Sequence, residues 1–412
     1  MGLTRIIDRL AVRATRVLVV EVSGQWLTRV ELEQQMLRRG WRQAWTPAAA
    51  DVLAVCGVPE PELAEIVDRL WEQMPGPRVR ADITSPEIAS PALDDAAVLL
   101  LDTPHHRTDA RERAQKPRIP ENNGHEDHSG HGQMNHGDYA GHEDPDHSDH
   151  ESHNGHEDHS QMDHSGHGSH GGMDHSGHSG HGGHGGMDMA PEGISLAQGG
   201  QDRDGLEMDV LHLPLGPVLP FWPAGLVLDC SLQGDVVVDA AASVVDGSDH
   251  GSRAHDSQPG LMLAVRCDDV MALLALAGAD DLAARARQVR DALLRGDQVA
   301  ARDGVERLYR TVRRSWLLRW SLRGVLVLGQ SDLERHGLPE GCRGDAYDRL
   351  LSMVQRVRVE VGGTGPVLVD DGVFPWQMVP HLVTGLELAT VRLAVASLSL
   401  GPFPVAQEVR HA

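Results

Sequence analysis

The chain has 412 residues, room for two or three domains of ordinary size. Its formal charge of −23 excludes nonspecific nucleic-acid binding as a property of the whole molecule. Lys116 is the only lysine, so arginine carries nearly all of the positive charge, and 17 of the 25 histidines fall between His125 and His184.

The N-terminal stretch MGLTRIIDRLAVRATRVLVVEVSG scatters arginines among its apolar residues and has no continuous apolar centre, unlike a secretory signal. The longest apolar run, Met271–Ala279, is far below the roughly 20 residues a membrane span requires. Cys56, Cys230, Cys267 and Cys342 are widely spaced with no CxxC pair. That spacing points to a reducing compartment and away from a cysteine-ligated cluster. A soluble, cytoplasmic protein with no transmembrane segment is the expectation.

Residues 1–103 alternate strand and helix signals. RVLVVEV (16–22) is a buried-strand run, followed by a helix from Leu27 to Arg39, and DVLAVCG (51–57) is a second strand. In PEPELAEIVDRLWEQM, Leu63, Ile66, Val67, Leu70, Trp71 and Met74 share one helical face, and Pro61 suits the first turn, where no amide hydrogen is needed. RVRADI (78–83) and AVLLLD (97–102) read as further strands. The alternation predicts a small parallel α/β sheet with helices on its faces, flavodoxin-like in type.

Across 104–205 Gly, Ser, His and Asp dominate. So little apolar side chain cannot offset chain entropy, which predicts a disordered linker. Order returns over 206–412. Leu226–Cys230 and Val236–Asp239, with QGD between them, read as a β-hairpin. Helices are expected at Asp281–Leu294, at Val305–Leu322, and at Asp345–Val361 with Leu350, Leu351, Val354 and Val357 inward. HLVTGLELATVRLAVASLSLG (381–401) suggests a helix and then a short strand. The region reads as α+β, mostly helical behind an N-terminal sheet.

Two stretches resemble one enzyme family, the respiratory NADH-quinone oxidoreductases (complex I) with the related [NiFe] hydrogenases. ADVLAVCGVPEPELAEIVDRLWEQMPGPRVRADI (50–83) is similar to the family's cluster-binding small-subunit type: an ADVLxVxG strand, a helix, QMPxPR and a strand. Three later stretches resemble the large-subunit type. LPLGPVLPFWPAGLVLDCSLQGDVVVDA is similar to its GPxHPxxHGxLxLxLxLxGExV hairpin, GDAYDRLLSMVQRV (344–357) to its GDxYDRxLVRxxEM helix, and HLVTGLELATVRLAVASL (381–398) to the end of the hydrogenase-type large chain. The likeness covers about half of the expected folded residues, in the family's order. It implies two domains packed face to face around what the family uses as a quinone or nickel site.

The departures bear on function. The resemblance puts a tandem cysteine pair after the first strand, where this chain has Gln25 and Trp26, and RADITSPE carries no cysteine either. Thiolates are required cluster ligands, so neither an iron–sulfur nor a nickel–iron centre is expected. The hairpin positions that present histidines to quinone are Val218, Leu219 and their neighbours, and after ASL the chain reads SLGPFPVAQE in place of a CxxC pair. The resemblance then implies ancestry without redox chemistry: a non-catalytic accessory, assembly or structural protein, a pseudoenzyme whose partners are complex I-like or hydrogenase-like subunits. Such a protein would be cytoplasmic and could lie peripheral to the inner face of the membrane.

The histidine run offers a different activity. His125, His128, His131, His136, His142, His147, His150, His153, His156, His159, His164, His167, His170, His175, His178, His181 and His184 are interleaved with small residues, and in the densest part mostly recur every three. A flexible chain at that spacing can bring several imidazoles to one nickel, copper or zinc ion. Asp146, Asp149, Asp158, Asp163 and Asp174 add carboxylates, and Met134, Met162, Met173, Met187 and Met189 add thioethers suited to Cu(I). A metal buffer or metallochaperone is therefore an alternative to the accessory role, as are a solvated linker, a pH sensor and a surviving quinone-linked oxidoreductase. Arg307, Arg310, Arg313, Arg314, Arg319 and Arg323 make a basic helix. It reads either as a solvated face or as a surface for an acidic partner or anionic lipid. GxSxG, GxxxxGK[ST], GxGxxG and HExxH motifs are absent.

Overall fold

The computed structural model describes residues 14–115, 198–201, 207–245, 259–363 and 374–400. All seventeen histidines of the candidate metal run lie outside the described residues.

The N-terminal region is a four-stranded parallel sheet with spatial order β2-β1-β3-β4, from β1 (Arg16–Glu21), β2 (Arg42–Gln43), β3 (Val52–Cys56) and β4 (Val79–Ile83). Every residue of β3 is buried, as a central strand covered on both faces requires. α1 (Trp26–Arg39) and α3 (Ala89–Leu100) cover one face, where Leu32, Met36, Leu93 and Ala96 meet Val17, Val52, Ala54 and Ala81. α2 (Pro61–Gln73) covers the other, with Leu63 and Val67 on Leu18, Val20, Leu53 and Val55. Met74, just past α2, joins that layer, and Ile66, Leu70 and Trp71 pack at its margin.

The expected strand at 97–102 is instead the last turns of α3. A short apolar run fits either element by periodicity alone. Here Leu93 and Ala96 already bury a helical stripe, leaving Val98 70% exposed. Nor does ordered structure stop at 103. α4 (Thr103–Gln115) continues the chain, with its Asp109 paired to the buried Arg78 at 3.1 Å. The segment expected to be structureless from 104 therefore begins inside a helix.

The C-terminal region opens with a four-stranded antiparallel sheet in the order β5-β6-β7-β8: β5 (Gln198–Gln201), β6 (Glu207–Leu215), β7 (Leu226–Gln233) and β8 (Val236–Val244). The expected hairpin is β7–β8, each strand starting where expected and running further at its C-terminal end, to Gln233 and Val244. Leu226, Leu228, Cys230 and Leu232 point inward from β7. Among the described residues eight α-helices follow: α5 (Pro259–Leu276), α6 (Asp280–Leu294), α7 (Gln298–Arg314), α8 (Trp316–Leu322), α9 (Gln330–His336), α10 (Ala346–Gly362), α11 (Val379–Val383) and α12 (Leu388–Ser397). α5, α6, α7 and α10 surround one apolar core, to which α10 gives Leu350, Val354 and Val357. α11 and α12 pack with the sheet around a second core.

The helix expected at Val305–Leu322 is two helices. Ser315 is extended (φ −74°, ψ 106°) and its hydroxyl accepts from the Leu318 amide at 3.3 Å, capping a new helix. The expected strand near 400 is not formed among the described residues, which continue from α12 without strand pairing to Leu400.

The two regions share packing. Val218, Val227 and Val245 of the antiparallel sheet region join the α2-side layer of the parallel sheet. Trp45 meets Phe221 edge-on, with ring centroids 5.5 Å apart. Among the described residues, no helix is long and apolar enough to cross a membrane.

Candidate functional site

In open α/β sheets ligands bind beyond the carboxyl ends of the strands, where the strand order reverses. Here that place is the end of β1 beside β3. Val22 to Gln25 turn there into α1, and Gly57 follows β3 at φ +103°. A side chain at Gly57 would strike Gln25 Cγ at 2.5 Å and Val22 Cβ at 2.9 Å, so the loop closes directly over the strand end.

A network of charges fills this crevice from both regions. Arg29, one turn into α1, donates to Glu21 at 2.5 Å and also pairs with Glu33 and with Asp268 of α5. Arg290 of α6, with no exposed side-chain surface, reaches Asp268 at 2.6 Å, Glu33 at 2.8 Å and Asp291 at 3.0 Å. The Trp26 indole donates to Asp268 Oδ2 at 2.9 Å. Asp268 is thus the hub, receiving from a tryptophan and an arginine of α1 and from an arginine of α6.

Asp268 and its neighbour Asp269 respond in opposite directions. Burial alone would push the Asp268 carboxyl up, but Arg29 and Arg290 outweigh it and hold the group well below the usual carboxylate range. Asp269 is pushed up to about 7, first by burial and then by the adjacent Asp268 charge. Glu21 is also raised, by burial, against the pull of Arg29. Asp269 borders a cavity of about 130 Å³ shared by Glu21, Trp26, Trp222 and Ser399. Ligand pockets usually occupy ~300–1,000 Å³. A larger hollow of about 390 Å³, lined by Arg302, Asp303, Glu306 and Arg358, lies between α7 and α10, away from this chemistry.

The cluster positions suggested by the resemblance do not fit an iron–sulfur group. Trp26 is engaged with Asp268, and Gln25 Oε1 accepts from Thr28 Oγ1 at 3.0 Å. Cys56, at the end of β3, is buried in the apolar layer and its thiol is pushed up by burial. Cys230, Cys267 and Cys342 are likewise buried free thiols raised by burial. Among the described residues, no three His, Cys, Asp or Glu side chains are grouped to hold a metal ion.

The GDAYDR stretch is built into the interior. Gly344 has φ +88°, and a Cβ there would meet Asp348 Oδ2 at 2.6 Å. Asp345 caps α10, accepting from the Asp348 amide at 3.0 Å. The Tyr347 hydroxyl donates to the Val312 and Arg313 carbonyls at 3.3 Å. Arg349, 1% exposed, donates to the carbonyls of Cys342, Gly344, Val325 and Leu326 and to the Ser397 hydroxyl at 2.8–3.3 Å. Burial lowers its pKa to about 10, which leaves it charged at neutral pH.

No family model, curated protein or solved structure matches this chain.

Val218 and Leu219, the hairpin positions singled out by the resemblance, pack into the two apolar layers on either side of them. Trp222 is buried and its indole donates to the Leu226 carbonyl at 2.8 Å. The residues that sequence reasoning missed are Glu21, Arg29, Glu33, Asp268, Asp269 and Arg290. One signal was available: Asp268 and Asp269 stand side by side in the helix PGLMLAVRCDDVMALLAL, whose only other charged residue is Arg266. Two carboxylates there have to find partners or neutralise.

Proposed function

We propose that this chain is a non-catalytic accessory or assembly protein, in which relatives of the small-type and large-type subunits of NADH-quinone oxidoreductases and [NiFe] hydrogenases are fused. The observation that carries the reading is the fate of Gln25 and Trp26. Where the resemblance calls for cluster cysteines, these side chains bond within the protein, and Trp26 ties α1 to Asp268 across the crevice. GDAYDR supports it in the same way, with its polar groups committed to capping and clamping. The strand order β2-β1-β3-β4 suits a flavodoxin-like N-terminal domain. The partners are subunits of a complex I-like or hydrogenase-like assembly, and the place is the cytoplasm, peripheral to the inner face of the membrane. A surviving quinone-linked oxidoreductase has less support, because the hairpin positions that the family uses for quinone are Val218 and Leu219, which pack into apolar layers.

The test is purification of the tagged full chain from its own host without chelators, followed by identification of what accompanies it. Complex I-like or hydrogenase-like subunits are expected. Their absence from the purified material would overturn the reading. The seventeen histidines favour a second reading, a nickel, copper or zinc buffer or metallochaperone. A metal-handling protein loses its cellular function when residues 125–184 are deleted, and an accessory scaffold keeps it.

A further inference from the structure

From Arg307 to Gln330 the chain carries six arginines and no aspartate, glutamate or histidine, within a molecule of net charge −23. This stretch ends α7 and forms α8. The inner side of α8 is anchored by Leu318 and Leu322, 3% and 0% exposed. Its outer side shows Trp316, Leu317 and Trp320 at 72%, 58% and 78% exposure, with Val327 beyond at 65%. Two tryptophans one helical turn apart, both facing solvent, are a costly arrangement for a surface with nothing to meet.

The arginines frame these apolar side chains. Arg313 and Arg314 precede α8, Arg319 lies on it and Arg323 follows it, all exposed. Arg310 is paired with Glu306 at 3.0 Å, and Arg319 stands 6.0 Å from the Tyr347 ring. The nearby acids are already engaged. Asp345 accepts from the Gly324 and Asp348 amides at 3.1 and 3.0 Å, and Asp348 accepts from the Asp345 amide at 3.3 Å. The local surface is therefore cationic and aromatic on a strongly acidic molecule.

We propose that α8 and its flanking arginines dock on an anionic lipid bilayer. Trp316, Leu317 and Trp320 enter the interfacial zone, where indole rings prefer to sit, and Arg313, Arg314, Arg319 and Arg323 meet headgroup phosphates. The charge sign selects an anionic surface. The shape selects a fluid one: the apolar side chains stand out from the helix, whereas a protein partner would need a matching hollow. The arrangement lies on the membrane and does not span it. It deepens the peripheral location proposed above and rests on that location alone. Partner capture and vesicle binding can therefore fail independently.

The experiment uses the full chain at pH 8, where unperturbed histidines are neutral and the histidine run adds no positive charge. Sedimentation with phosphatidylcholine vesicles is compared with sedimentation on mixed phosphatidylcholine–phosphatidylglycerol vesicles, with and without added salt. Binding to the anionic vesicles alone is expected, weakening as salt rises. Trp316→Ser/Trp320→Ser and Arg314→Gln/Arg323→Gln should each lower partitioning roughly tenfold or more. All four side chains are exposed, so an unchanged urea midpoint verifies that these variants fold. Equal binding to neutral vesicles, no binding, or binding kept by the tryptophan variant would overturn the proposal. So would a tryptophan-dependent complex with an acidic protein, or with a second copy of this chain, that forms without vesicle binding.

Discussion

Replacing Arg290 with methionine tests whether the charge network holds the two regions together. Arg290 has no exposed side-chain surface and bonds Asp268, Glu33 and Asp291, two of which are 13% and one 15% exposed. Methionine keeps the bulk and removes the charge, leaving three carboxylates with Arg29 as the guanidinium still bonded to two of them. Removing one partner of a buried ion pair costs about 3–5 kcal/mol, far more than loss of a surface pair. The lower end, about 3 kcal/mol, is expected because Arg29 still neutralises part of the cluster. With a urea slope of roughly 2 kcal/mol per molar, the midpoint falls by about 1.5 M. The assay is urea unfolding followed by tryptophan emission and circular dichroism. Adding Asp268→Asn to Arg290→Met should restore part of the loss, with a coupling of about 1–3 kcal/mol. A loss under about 1 kcal/mol, or strict additivity of the two changes, would show that water screens the cluster and would refute the reasoning.

Asp269 titrates near 7 when folded against an ordinary 3.8, so its contribution to stability is complete below about pH 4 and is lost as pH rises through 7. Asp269→Asn should remove that decline and raise the melting temperature at pH 8 by on the order of 5 °C, as read by thermal melts across pH. Asp268, held low, acts in the other direction: its stabilisation is present above 3.8 and is lost as acidification continues below that value. Arg349→Met takes the guanidinium donors from the buried Cys342 and Leu326 carbonyls, while the Gly344 and Val325 carbonyls keep the Leu328 and Ala346 amides; it should cost about 2–4 kcal/mol in urea unfolding, with Arg349→Lys recovering only part of it. All four cysteines are buried, so a thiol reagent should leave them unmodified in the native protein and modify all four after denaturation.

β1 and β3 of the parallel sheet were readable because they are apolar runs, β4 by its alternation, and α2 by its clean helical face, whereas β2 is only the polar pair Arg42–Gln43 and carries no signal of its own. The α3 error came from AVLLL, whose apolar density is the same in a strand or a final helical turn. The break at Ser315 was hidden because the apolar periodicity runs across it, whereas the capping bond that makes the break is a local event. The site was less legible than the fold. Glu33 and Arg290 look like ordinary charges on amphipathic helices, and only tertiary packing places them 2.8 Å apart.

Those partners also set a schedule for biosynthesis. Trp26 waits for Asp268, 242 residues later, and Glu33 waits for Arg290, 257 residues later. At roughly 5–20 residues per second, the ribosome needs on the order of ten to fifty seconds to supply them. Through that interval the α2-side layer of the nascent parallel sheet lacks Val218, Val227 and Val245, and α1 holds Arg29 against acids from its own side only. The first hundred residues therefore emerge as a half-finished surface whose completion is timed by chain length.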